Sequence, residues 1–187
     1  LNMADLIKLQ LSLGQWPRPY SPGITIPRNE LDPHMRSQLG LSGSTDRFTR
    51  LLGQMLHDQM PQCYVESYRF LKQKALNYYP RRPKVILTAN AHVHNEGFKI
   101  WAATCRENGA SFVGAQHGGF EGMGKWYALE DHQKKIWDRY YTWGWQDPSA
   151  DNTKPLPSFK LIPATRIRHD KSGRILMVNN AFIRYSY

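Results

Sequence analysis

Cysteine is scarce in this chain: Cys63 and Cys105 are the only two in 187 residues. Two isolated thiols exclude a disulfide framework and suit a reducing compartment. Both are expected on apolar faces of helices, where a free cysteine behaves as a small hydrophobe. Long hydrophobic runs are missing too. No segment approaches the ~20 apolar residues that a membrane-crossing helix needs, and no signal-peptide pattern opens the chain. There is no P-loop, no G-x-G-x-x-G fingerprint and no G-x-S-x-G elbow. Those absences weigh against the commonest NTPase, dehydrogenase and α/β-hydrolase chemistries. Internal repeats and low-complexity segments are also lacking. Acidic residues are outnumbered, 15 against 25 basic, for a formal net charge of +10. That balance points to an anionic partner or to a solvated basic surface. The basic residues are scattered, with short clusters at Arg81-Arg82-Lys84 and Lys134-Lys135. No block of the kind that marks a nucleic-acid tail is present, so nucleic acid is not expected as a partner.

What is there reads as a parallel α/β sheet. A buried-strand run, Val85 to Asn90, is followed by a loop and an amphipathic helix from Asn95 to Asn108. Phe98, Trp101, Ala102 and Cys105 form its buried face, and Asn108-Gly109 closes it. A second apolar run, Ser111 to Ala115, ends in Gln116-His117-Gly118-Gly119. Strand, helix and strand with short connections suit a βαβ unit. Before it, residues 1–13 form a short helix, and the prolines between Trp16 and Pro33 read as an extended connector. Ser44-Thr45-Asp46 starts a helix with Phe48, Leu51, Leu52, Met55 and Leu56 on one face. Pro61 starts another, striped with Tyr64, Tyr68, Leu71, Ala75 and Leu76. Both helices are expected to pack on the sheet. Ala128–Asp138 is expected to be helical and Tyr140–Trp145 a third strand. Phe159–Pro163 reads as a fourth strand and Arg174–Asn179 as a fresh one. A domain rarely ends on a new first strand, so the chain is expected to be a piece of a longer protein.

Ligands of parallel sheets collect at the carboxyl ends of the strands. His117 stands there, able to act as acid, base or phosphate donor. Gly118 and Gly119 let a ligand approach the main chain and expose N–H groups to an anion. The plain alternative is a tight turn with a satisfied histidine. Glu96 opens the crossover helix, as a general base, as a nucleophile, or merely as a charge favoured by the helix dipole. Asn90 ends the first strand, placed either to orient a sugar hydroxyl or to cap the loop, and Gln116 ends the second. Glu130-Asp131-His132 cannot all face one site on a helix; Glu130 or His132 reaches the cleft while Asp131 sits outside. His92 and His94, on an extended segment, would point the same way and could share a metal with His117 and His132.

The runs PKVILTAN (83–90), EGFKIWAA (96–103) and GAQHGG (114–119) resemble a family of bacterial transferases encoded with surface-polysaccharide genes. The likeness continues through Glu130-Asp131-His132, Asp138-Arg139-Tyr140, Thr142-Trp143-Gly144-Trp145, Ile175–Val178 and Arg184–Tyr187. That family is similar to GT-B-like glycosyltransferases, including the Kdo transferases. The resemblance implies a Rossmann-like parallel sheet flanked by helices, the amino-terminal half of a GT-B-like architecture with a truncated second domain. It divides the chain into a lead-in (1–43), an acceptor-side domain (44–163) and the first strand of a second domain (174–187). It implies sugar transfer from a nucleotide-activated donor to a surface glycan, with the nucleotide sugar as co-substrate and no other cofactor or metal. Most of the donor site would lie outside this chain, which alone should not turn over. His117, Gly118 and Gly119 match the family's Gln-His-Gly loop; Glu96, Glu130 and His132 match its acidic and Glu-Asp-His positions. Catalysis falls to Glu96, with Glu130 second and His117 assisting. Asn90, Gln116, Gly118, Gly119 and His132 would bind substrate. The setting implied is cytoplasmic or peripheral at the inner membrane. Two rival readings stand beside it: a metal-dependent hydrolase using His92, His94 and His117, and a non-catalytic basic module binding polyanions.

Overall fold

A computed structural model describes residues 3–16, 23–40, 46–158 and 172–173. Four strands, β1 (Val85–Thr88), β2 (Ser111–Ala115), β3 (Arg139–Trp143) and β4 (Thr153–Leu156), lie in the order β1-β2-β3-β4, all parallel. The first two pair in register from Val85↔Ser111 to Thr88↔Gly114. Among the described residues seven α-helices accompany the sheet: α1 (Met3–Ser12), α2 (Pro33–Ser37), α3 (Arg47–Gln59), α4 (Tyr68–Tyr78), α5 (Ala91–His94), α6 (Glu96–Glu107) and α7 (Ala128–Ile136). The architecture is α/β, consistent with a Rossmann-like domain.

Local chemistry explains where the elements start and stop. Asn95 caps α6, its side chain accepting the Phe98 N–H at 2.9 Å. Gly109, at φ +90°, ends it in the left-handed conformation, and the Ala110 N–H returns to the Cys105 carbonyl at 3.0 Å. The core then forms from one face of α6, with Phe98, Trp101, Ala102 and Cys105 set against Ile86, Phe112, Trp137 and Tyr140. Ala75 of α4 joins it, and Ile136 of α7 packs against it. Gly114 is required in β2 because the Trp137 ring covers it; a Cβ there would stand 1.9 Å from the ring.

Several expectations need correction. The run at 85–90 is not buried on both faces: Ile86 and Thr88 are buried, while Val85 and Leu87 are 59% and 66% exposed. The strand order supplies the reason. Consecutive parallel neighbours joined by crossovers of one hand place α6 and α7 on the same face. The apolar face of α3 does not pack on the sheet either, and Phe48, Leu51, Leu52 and Met55 are exposed. That helix is held at its end instead. Buried Arg36 donates to the His57 and Met60 carbonyls at 2.8 and 3.0 Å while pairing with Glu66 at 2.6 Å. The Arg36 guanidinium holds the Glu66 carboxyl down at about 2. The helix expected from Pro61 is broken into a 3-10 turn (Gln62–Tyr64), where Cys63 sits, and α4. The connector also contains α2, capped by Asp32 with Pro33 at its first position. Strand β4 was not anticipated, because Pro155 argues against a strand; at a sheet edge the missing N–H costs nothing. The strands expected at 159–163 and 174–179, and with them the second domain, lie outside the described residues.

Candidate functional site

The carboxyl ends of β1 and β2 meet. Thr88 Oγ1 accepts the Ala91 N–H at 3.1 Å, taking over the capping of α5. That leaves the Asn90 amide for another partner, and its Nδ2 lies 3.0 Å from His117 Nε2. With the amide donating, Nε2 accepts, and neutral His117 carries its proton on Nδ1. The His117 side chain is exposed. The structure therefore brings together two residues separated by 27 positions in the sequence.

The loop behind His117 is locked from inside. Buried Glu121 accepts the His117 and Gly118 N–H groups at 3.0 and 2.8 Å. The N–H nest expected to hold a ligand anion thus holds the chain's own carboxylate. Gln116 is also buried and fully engaged. Its Nε2 donates to the Gly118 carbonyl at 2.7 Å, and its Oε1 accepts from the Trp143 N–H at 2.6 Å and Trp145 Nε1 at 2.9 Å. It clamps the end of β2 to the end of β3. Glu130 is buried and has both oxygens in use, one on the Gly122 N–H at 2.6 Å and one on Lys134 at 2.6 Å. Lys134 also reaches Asp147 at 2.6 Å and holds its carboxyl at about 2. Gly122, at φ +80°, lies under the Trp145 ring. Gly119 has open space where a side chain would stand. From this fixed backbone Phe120, Met123 and Trp126 project outward, the last two 83% and 79% exposed.

Glu96 begins α6 on the other side of Asn90. It lines a hollow of about 480 Å³ shared with Asn90 and His94, whereas His117 lines a smaller one that also includes Asn90. Its oxygens meet Lys99 at 2.7 Å and the Tyr64 hydroxyl. Burial alone would raise the Glu96 carboxyl, but Lys99 and Tyr64 outweigh it and hold the group below its usual range. Burial and the Glu96 charge push the Tyr64 phenol up, so it stays a donor. No contact joins Glu96 directly to His117.

The histidine pair after β1 is on a helix, not an extended segment. On a helix, positions two apart point about 200° from each other. His92 is buried, edge-on to Trp137 at 4.8 Å and 3.2 Å from Gln133 Nε2, while His94 is exposed. Burial, then His132 and Lys99, lowers His92 to about 4, so it is neutral near pH 7. His132 is exposed on α7, as is Asp131, and Glu130 turns inward. Among the described residues no cluster of His, Cys, Asp and Glu could hold a metal ion. Sequence reasoning missed Glu121, Tyr64 and the exposed Phe120, Met123 and Trp126. Apolar residues interrupting a run of glycines were the signal available for the last three.

Fold and site together define an α/β protein, consistent with a Rossmann-like domain, whose polar residues gather at the carboxyl edge of a parallel sheet, where ligands of such sheets bind. The chain belongs to the LIC12162 family of transferases, whose family model matches residues 1–187. No curated protein and no solved structure matches it. No helix among the described residues is long and apolar enough to cross a membrane.

Proposed function

We propose that this transferase is a glycosyltransferase, moving a sugar from a nucleotide-activated donor to a bacterial surface glycan, with the acceptor held at the Asn90–His117 edge. The contact between Asn90 and His117 carries the reading. It fixes an exposed imidazole at the carboxyl end of a parallel sheet, on a loop made rigid by Glu121 and Gln116. Rigid placement of a polar group is what orientation-dependent transfer needs. Exposed Phe120 and Trp126 offer apolar faces of the kind that pack on sugar rings.

The reaction makes a bond from an acceptor oxygen to the anomeric carbon and breaks the bond from that carbon to the donor phosphate. The acceptor proton must leave. Glu96, ionised near neutral pH, is the carboxylate assigned to take it. His117 Nδ1–H donates to an acceptor or phosphate oxygen. The nucleoside phosphate of the donor departs with the electron pair, and no further cofactor is invoked. Glu130, Gln116 and Glu121 act as positioning residues behind the loop. Such a protein works in the cytoplasm or at the inner face of the membrane, where activated donors are made.

The test is sugar transfer by the natural full-length protein, using a panel of nucleotide sugars and extracted surface glycan. Glu96→Gln and His117→Ala should each lower the rate by about 100-fold or more with an unchanged circular dichroism spectrum. Full activity in both variants would overturn the assignment.

A further inference from the structure

The groove between α6 and α7 lies on the helical side of the sheet and shares Val93 and Leu129 with the hollow that holds Asn90 and His117. It encloses about 680 Å³. That is within the range of sites that take a small molecule. Its floor is apolar: Ala102, Phe112, Leu129 and Ile136 line it. The small side chains of Ala102 and Ala103 keep α6 from filling the space. Its rim is cationic, with Lys99, Arg106, His132 and Lys135, and no acidic side chain lines it. Lys99 is paired with Glu96 and Arg106 with Asp138. Lys135 has no ion-pair partner among the described residues. Between Lys99 and Arg106 the groove follows α6 for about 10 Å.

A second observation comes from beneath. His92 lines the same groove, is buried, and has no hydrogen-bond partner for its Nδ1. That nitrogen is closed off from solvent, so a ligand in the groove meets the ring without reaching it. An apolar floor and an acid-free cationic rim together select one ligand chemistry.

We propose that the α6–α7 groove binds an amphiphilic anion, a molecule carrying one phosphate or carboxylate group on an apolar body. The apolar body lies on Ala102, Phe112, Leu129 and Ile136; the anionic group sits near Lys135 and His132. The groove shares Tyr64 and Lys99 with the surroundings of Glu96, but the inference is read by binding alone and does not require the transfer reaction.

Calorimetry of the whole chain with decyl phosphate, below its micellar concentration, tests it against decanol and inorganic phosphate. Saturable one-site binding of decyl phosphate is expected. Decanol should bind at least tenfold more weakly, and inorganic phosphate should give no measurable heat. Ala103→Phe, at an exposed position of α6, and Lys135→Glu should each weaken decyl phosphate at least tenfold without moving the thermal midpoint. The His92 ring nitrogen signals should shift on saturation. Equal binding of decanol, equal binding of inorganic phosphate, an absence of saturable binding, or variants that bind like the parent would each overturn the proposal.

Discussion

Two buried carboxylates, Glu121 and Glu130, hold the backbone of the loop after β2 rather than facing solvent. A carboxylate accepting two N–H groups makes strong, charge-assisted bonds. Both N–H groups meet the same carboxylate oxygen, so replacing Glu121 by Gln keeps an acceptor but removes the charge that strengthens both bonds. The expected cost is about 1.5–3 kcal/mol in urea unfolding, with faster amide exchange at His117 and Gly118. An unchanged midpoint and unchanged exchange would show that the loop is held by something else. His92 makes a second prediction at this scale. Its folded-state value is lowered from 6.5 to about 4, so the unfolded chain binds a proton that the folded chain refuses between those values. Stability therefore rises with pH across that window and is fully present above it. The change is about 3 kcal/mol over the window. Urea midpoints measured from pH 4 to 7 should show this slope, and His92→Phe should remove it. A parallel slope in the variant would assign the effect to other groups.

At the scale of elements, packing separates helices that look alike in sequence. Both α3 and α4 carry an apolar stripe, but only α4 buries Leu71 and Ala75. Leu71→Ala should cost about 2–5 kcal/mol by loss of contacts and creation of a cavity. Leu51→Lys on α3 should change stability by no more than about 0.5 kcal/mol. Equal losses would mean that α3 is buried in solution. Strand β2 supplies the opposite kind of test. Gly114→Ala drives a methyl into the Trp137 ring and should cost at least about 3 kcal/mol, with altered near-ultraviolet dichroism. A folded, equally stable variant would contradict the packing of Trp137. These cases also mark what the sequence could tell. The β1–α6–β2 unit was legible because its periods and caps are local: a short apolar run, the Asn95 start, the Gly109 stop. The fate of the α3 stripe was not, because periodicity marks a face without saying what covers it. His92 and His94 were misread because a four-residue helix has too little pattern to tell from an extended segment.

For the molecule as a whole, strand order matters more than strand count. Four parallel strands in sequential order place their crossover helices on one side. Val85 and Leu87 consequently stay exposed on the other. Parallel sheets are ordinarily covered on both faces. The same order sets the ends of β1 and β2 side by side, which brings Asn90 to His117. That neighbourhood was readable from the sequence, since two consecutive parallel strands both end in polar residues. The interior of the loop was not: Gln116 and Glu130 carry the polarity of ligand-binding groups, and only tertiary contacts show them turned inward.

The most direct measurement is a double-mutant cycle on sugar transfer by the natural full-length protein, using Asn90→Ala, His117→Ala and the pair. If Asn90 acts by orienting the imidazole, the double variant loses no more activity than His117→Ala alone. Losses that simply add would contradict the account, as would undiminished transfer without His117.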